Sequence, residues 1–232
     1  MFLIALLSIS LFADTAQMDK ALAGLQAAKS AADAATHLNY VLAHSQEAPA
    51  PHLFIASAAA LSSNRLPDAG YLFYAAQLRG RYDIARFPPK GKGAESPAAI
   101  LGALSSQIGT VVNPAVMREP KTFADVVTRV SKWTPVTTPG YSPTWEYTAP
   151  DPAAAKKVFD TQHAAFIKQV GGLSTLLNDP QYFAAFKVLQ DYNMSKTKPG
   201  PAEEKAKTAA IDTMAAIEKK KDIEGLFYKR AK

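Results

Sequence analysis

The chain has 232 residues, 48% hydrophobic and 20% charged, with a formal net charge of +6 and no Cys. These proportions exclude global disorder, and the length suffices for one large domain or two small ones. The missing thiols exclude disulfide scaffolds, thiolate metal sites, iron–sulfur clusters, Cys nucleophiles and a lipidated Cys.

Residues 1–13 read MFLIALLSISLFA, an uncharged apolar run that ends in a small residue. A membrane-spanning helix needs about 20 residues, so the run has the pattern of a secretory signal peptide. It has no Lys or Arg ahead of the apolar stretch, and cleavage after Ala13 would put Leu11 at the −3 position. The expectation is an exported protein, periplasmic or secreted, that is not transmembrane after processing. No later stretch is an uninterrupted run of about 18 apolar residues.

Beyond residue 13, Met18, Leu22, Leu25, Ala28, Ala32, Ala35, Leu38 and Leu42 recur at three- and four-residue steps, which predicts a helix or helix pair. Pro49 and Pro51 break it. Residues 52–62 predict a helix and Ser62-Ser63-Asn64-Arg65 a turn. Pro67 and Asp68 suit the first turn of the next helix. Residues 97–109 and 123–133 predict two short helices. Five prolines between residues 134 and 152 (Pro135, Pro139, Pro143, Pro150, Pro152) exclude a regular helix or a central strand there. Asp151-Pro152 opens a helix that Gly171-Gly172 is expected to end, and Asp179-Pro180 opens another. Pro201, Glu203 and Glu204 open a last one. The sum is an all-α protein of about seven helices, a bundle or a set of helical hairpins with a long Pro-rich loop. The expected division is an N-terminal helical part at 14–86, a connector at 87–150 and a C-terminal helical part at 151–232.

Within the first part, Ser57, Ala69, Phe73 and Ala76 fall at the small and aromatic positions of a tetratricopeptide-type repeat. Residues 53–76 resemble a single hairpin of that family. The repeat's later Pro is absent, with Arg81 near its place, and no second copy follows at the period of about 34 residues. The resemblance implies a helical hairpin and, by extension, peptide binding.

Chemical motifs are sparse. His37, His44, His52 and His163 show no metal-ligand spacing, and His163 shares an apolar face with Phe159 and Phe166, as a core imidazole does. There is no nucleophile elbow, P-loop or dinucleotide fingerprint. No catalytic residue, metal or cofactor is expected, although carboxylates brought together from distant positions would suffice for a glycan hydrolase. Residues 14–150 hold 12 basic and 10 acidic side chains, and residues 151–232 hold 14 and 10. The stretch KKKDIEGLFYKRAK at 219–232 offers an anionic surface a basic and aromatic tail. Export argues against nucleic acid as a partner.

Two groups of residues stand out as partner-binding candidates. Tyr74, Gln77 and Arg81, with Arg79 nearby, form a polar–aromatic stripe suited to a peptide backbone or a carboxylate. The competing expectation buries that helix and pairs Arg81 with Asp83 or Asp68. Trp133, Tyr141, Trp145 and Tyr147 place four flat rings in the Pro-rich loop, where they would stack on sugars or anchor a partner. The competing expectation folds these rings back onto the helices. The leading functional expectation is a non-enzymatic exported adaptor that recognises another protein, an immunity or inhibitor protein among them. The alternatives are a cell-wall glycan-binding module, a hydrolase with dispersed carboxylates, and a structural envelope protein held at anionic surfaces.

Overall fold

The structure is a computed structural model that describes residues 15–195 and 198–223. The proposed signal peptide and most of the basic tail lie outside these residues. Among them are nine helices and no strand: α1 (Thr15–Ala27), α2 (Ala31–Ala43), α3 (Ala50–Ser62), α4 (Leu66–Arg86), α5 (Pro97–Met117), α6 (Pro120–Ser131), α7 (Pro152–Leu177), α8 (Pro180–Met194) and α9 (Pro201–Lys220). The all-α expectation is met, and the Pro-rich stretch is a long loop between α6 and α7.

Local chemistry sets most of the helix ends. Every helix from α3 to α9 carries Pro in its first turn, where the missing N–H has no intrahelical acceptor to lose. Ser30, Ser96, Asp151 and Asp179 accept N-terminal amides with their side chains. The α3–α4 turn closes as the sequence suggests. Asn64 takes a left-handed φ of 57°, Arg65 N donates to Ala60 O at 2.8 Å and Asn64 N to Leu61 O at 3.0 Å. This pair of bonds satisfies the last carbonyls of α3.

The structure decides one open alternative and corrects two expected boundaries. The predicted helix or helix pair at residues 18–42 is a pair, divided between Ala27 and Ser30. The helix expected at 97–109 continues to Met117 through Pro114, because Ile108, Val112 and Val116 keep one face buried. Gly171-Gly172 does not end α7. Two helical glycines cost about 1 kcal/mol each, and burial of Leu173, Leu176 and Leu177 carries the helix past them.

α4 is the hub. Eleven of its 21 residues are buried, on more than one face, because α3, α5, α6 and α7 all pack against it. Small residues allow the approach: Ser57 Oγ on α3 donates to Ala69 O on α4 at 2.7 Å, with both residues buried. A Cβ on Gly70 would lie 2.9 Å from Val126 Cγ2 and 3.1 Å from Val116 Cγ1, so only glycine lets α4 meet α5 and α6 there. The buried apolar residues form one cluster from Met18 to Ile217. The N- and C-terminal helical parts therefore share one core, with α7 lying on α4 and α6, and α8 and α9 following it. α5 has no charged residue and leaves Ile100 and Val111 exposed. By length and composition it is long and apolar enough to cross a membrane, but it is packed on α3, α4 and α6.

Two glycine substitutions are expected to act in opposite directions. Gly70→Ala should destabilise by about 1–3 kcal/mol through overpacking. Gly171→Ala, where a Cβ meets nothing within 4 Å, should stabilise by up to about 1 kcal/mol. Urea denaturation of both variants against the parent chain checks the pair.

Candidate functional site

Arg79 leaves the inner face of α4 fully buried, and Asp83 waits one turn further on. The Arg79 Nε lies 2.9 Å from both Asp83 carboxylate oxygens. Its Nη1 donates to Gln46 O and Val136 O, each at 2.9 Å. The second Asp83 oxygen accepts from the Tyr141 hydroxyl at 2.8 Å, and the Tyr141 ring lies under the guanidinium at 4.7 Å from its centroid. Burial works against both charges. It lowers the Arg79 pKa less than Asp83 and Tyr141 raise it, so the guanidinium stays firmly charged. Burial raises the Asp83 pKa, opposed by Arg79 and by the Tyr141 hydrogen bond. Burial, with the adjacent Asp83 carboxylate, also raises the Tyr141 phenol.

This knot fixes the loop. Val136 N donates to Gln46 O at 2.7 Å, and Trp133 Nε1 to Ser45 O at 3.3 Å. Further on, the loop pairs antiparallel with the chain that leaves α4: Lys90 N to Glu146 O and Thr148 N to Pro88 O, each 3.0 Å. Trp145 Nε1 donates to Phe87 O at 2.9 Å. Buried Phe87 packs against Tyr141 and Tyr147, with ring centroids 5.8 and 5.1 Å away.

The sequence candidates thus separate. Tyr74, Arg79 and Trp133 are buried and do not form part of a surface stripe. The Tyr74 hydroxyl donates to Asn113 Oδ1 at 3.1 Å, and burial pushes its phenol pKa up. Arg79 is consumed by Asp83, and Trp133 is 1% exposed. Tyr141, Trp145 and Tyr147 are half-buried, and Gln77 is partly buried. Arg81 is exposed, and its expected partners are engaged elsewhere: Asp83 with Arg79, and Asp68 with Arg65 at 2.7 Å and Arg129 at 3.1 Å. Partial burial alone lowers the Arg81 pKa. His163 packs as the sequence suggests, stacked on Phe159 with ring centroids 5.0 Å apart.

Two hollows result. The larger is a cleft of about 450 Å³, within the usual range of ligand pockets. Met18 and Leu22 of α1, Pro51 of α3, and Tyr141, Pro143 and Trp145 of the loop supply its apolar and aromatic lining. Its ionisable lining is Asp19, Glu47, His52 and Asp83, with no Lys or Arg, in a chain of net charge +6. The second hollow is a groove of about 240 Å³ between α4 and α5 beside Gln77 and Arg81. Leu101 lines both. Sequence reasoning missed Asp19, Glu47, His52 and Asp83, which come from three helices and a connector with no shared spacing.

The chain matches no family model, no curated protein and no solved structure.

His52 reports on the cleft through pH. Its Nε2 lies 3.2 Å from Asp19 Oδ1, yet burial outweighs that carboxylate and holds its pKa below 6.5. The unfolded imidazole therefore takes a proton before the folded one. The associated stability is present above pH 6.5 and is lost as pH falls toward the folded value. Denaturation at pH 7.5 and 5.5 should show that loss, and His52→Gln should reduce it. Asp83→Asn, which leaves Arg79 without its counter-charge, should cost about 3–5 kcal/mol. Tyr141→Phe, which removes one hydrogen bond to a charged acceptor, should cost about 1.5–3 kcal/mol. Equilibrium denaturation ranks the two.

Proposed function

We propose that the protein is a non-catalytic, exported helical binding module that recognises another protein of the cell envelope by taking a segment of it into the cleft beside the aromatic loop. The carrying observation is the cleft's chemistry: apolar and aromatic walls, the carboxylates Asp19 and Glu47 at its edge beside an Asp83 already paired with Arg79, and no Lys or Arg among the lining side chains. An apolar segment bearing a Lys, an Arg or a free amine complements that surface in shape and sign. The cleft is also held in place, because Tyr141 and Trp145 are tied to Asp83 and Phe87 O, so binding loses little loop entropy. Such a module serves as an adaptor, or as an inhibitor that stays seated on its target. Export rests on the apolar run at 1–13, outside the described residues. The resemblance of residues 53–76 to a tetratricopeptide-type hairpin agrees with a binding role, with the contact moved from the hairpin's faces to the cleft at the start of α3.

Crosslinking capture from the native envelope, run in parallel with the parent chain and Trp145→Ala, tests this reading. One dominant protein partner is expected. Titration of its interacting segment should show Trp145→Ala weakening binding by about 30-fold, from the roughly 2 kcal/mol of a hot-spot Trp. Circular dichroism confirms that the variant is folded. Recovery of wall glycan in place of protein, or capture indifferent to Trp145→Ala, overturns the reading.

A further inference from the structure

Gln77 and Arg81 stand one turn apart on α4, facing Leu101, Gly102 and Ser105 of α5. The helices meet closely at Gly80, where a Cβ would lie 3.0 Å from Leu101 Cδ1. Gly102 leaves room beside that contact, for a Cβ there would meet nothing within 4 Å. Ile84, Ala98 and Leu101 supply the accessible apolar surface of the groove between them, over the buried Phe54 and Ala76, with Gln77, Ser105 and Arg81 as its polar side chains.

Arg65, Arg79, Arg118 and Arg129 each hold a carboxylate. Two arginines hold no carboxylate among the described residues: Arg86, whose Nη1 donates to the Tyr82 hydroxyl at 3.2 Å and which lies over the Phe87 ring, and Arg81, which lines the groove. Apolar groups partly desolvate Arg81. A guanidinium in that setting complements an anion that brings its own apolar surface. One planar fork matches the two oxygens of a carboxylate, and the single charge matches a monoanion better than a phosphate dianion. Gln77 and Ser105 add neutral hydrogen-bonding groups and no second charge.

We propose that this groove binds a carboxylate on an unbranched apolar tail, of the fatty-acid type, with the tail against Ile84, Ala98 and Leu101 and the carboxylate on Arg81. The site is separate from the cleft proposed for the protein partner, although Leu101 stands in the wall of both. Tests must therefore leave Leu101 in place.

Calorimetric titration of the purified chain with decanoate, with decanol and with a short peptide ending in a free Leu carboxylate distinguishes the possible occupants. Decanoate is expected to bind about tenfold more tightly than decanol, the margin of one charge-assisted contact. Arg81→Gln should erase that margin. Gly102→Phe should fill the groove and abolish decanoate binding while thermal unfolding stays at or above that of the parent chain. Equal binding of decanoate and decanol overturns the proposal. So does decanoate binding that survives Gly102→Phe in a folded variant, or binding of the free-acid peptide alone. Partner capture through Trp145 should persist in Arg81→Gln, so the two readings fail separately.

Discussion

The architecture turns on one buried guanidinium. Arg79 sits inside the helical core, where an unpaired charge would cost several kcal/mol, so Nε and Nη1 each meet acceptors and only Nη2 has none. Asp83 supplies the counter-charge from the same helix, and Gln46 and Val136 supply carbonyls from two other parts of the chain. An apolar pair of similar volume would contribute as much stability. The ionic arrangement adds direction: the α2–α3 connector and the loop after α6 must present particular carbonyls at particular places. The aromatic loop holds its shape because a charge beneath it demands that shape.

The same demand builds the cleft. Tyr141 is drawn inward by Asp83 and lies against the guanidinium, while Trp145 and Tyr147 pack around Phe87 and the chain leaving α4. The exposed parts of these rings then face α1 and the start of α3 across a hollow edged with carboxylates. Positioning and recognition use one set of groups, and the rings most useful to a partner are those anchored at their far edges.

Much of the fold was legible because it rests on local chemistry. Prolines 67, 152, 180 and 201 mark helix starts, Asp151 and Asp179 cap, and Asn64 turns the α3–α4 hairpin. The small residues Ser57, Ala69 and Ala76 announce a tight helix pair, and the pair forms. What escaped depends on packing between distant segments. Arg79 and Arg81 are two residues apart, about 200° around the helix, and no periodicity says which face four neighbours will cover. Gly171-Gly172 reads as an end because the apolar positions of residues 173–177 gain weight only from the helices they meet. The cleft draws on α1, α3, α4, a connector and a loop, a combination that no spacing in one stretch encodes.

One consequence of the Arg79 contacts concerns where the chain can be divided. The hairpin of α3 and α4 is complete by residue 86, yet the acceptor at Val136 and the hydroxyl of Tyr141 lie more than fifty residues further on. A chain ending before those residues would have to leave Arg79 and Asp83 in contact with water. The hairpin of α3 and α4 without the Pro-rich loop would leave Arg79 and Asp83 without the Val136 carbonyl and the Tyr141 hydroxyl. A boundary drawn after Arg86 would separate a charge from the groups that allow it to be buried.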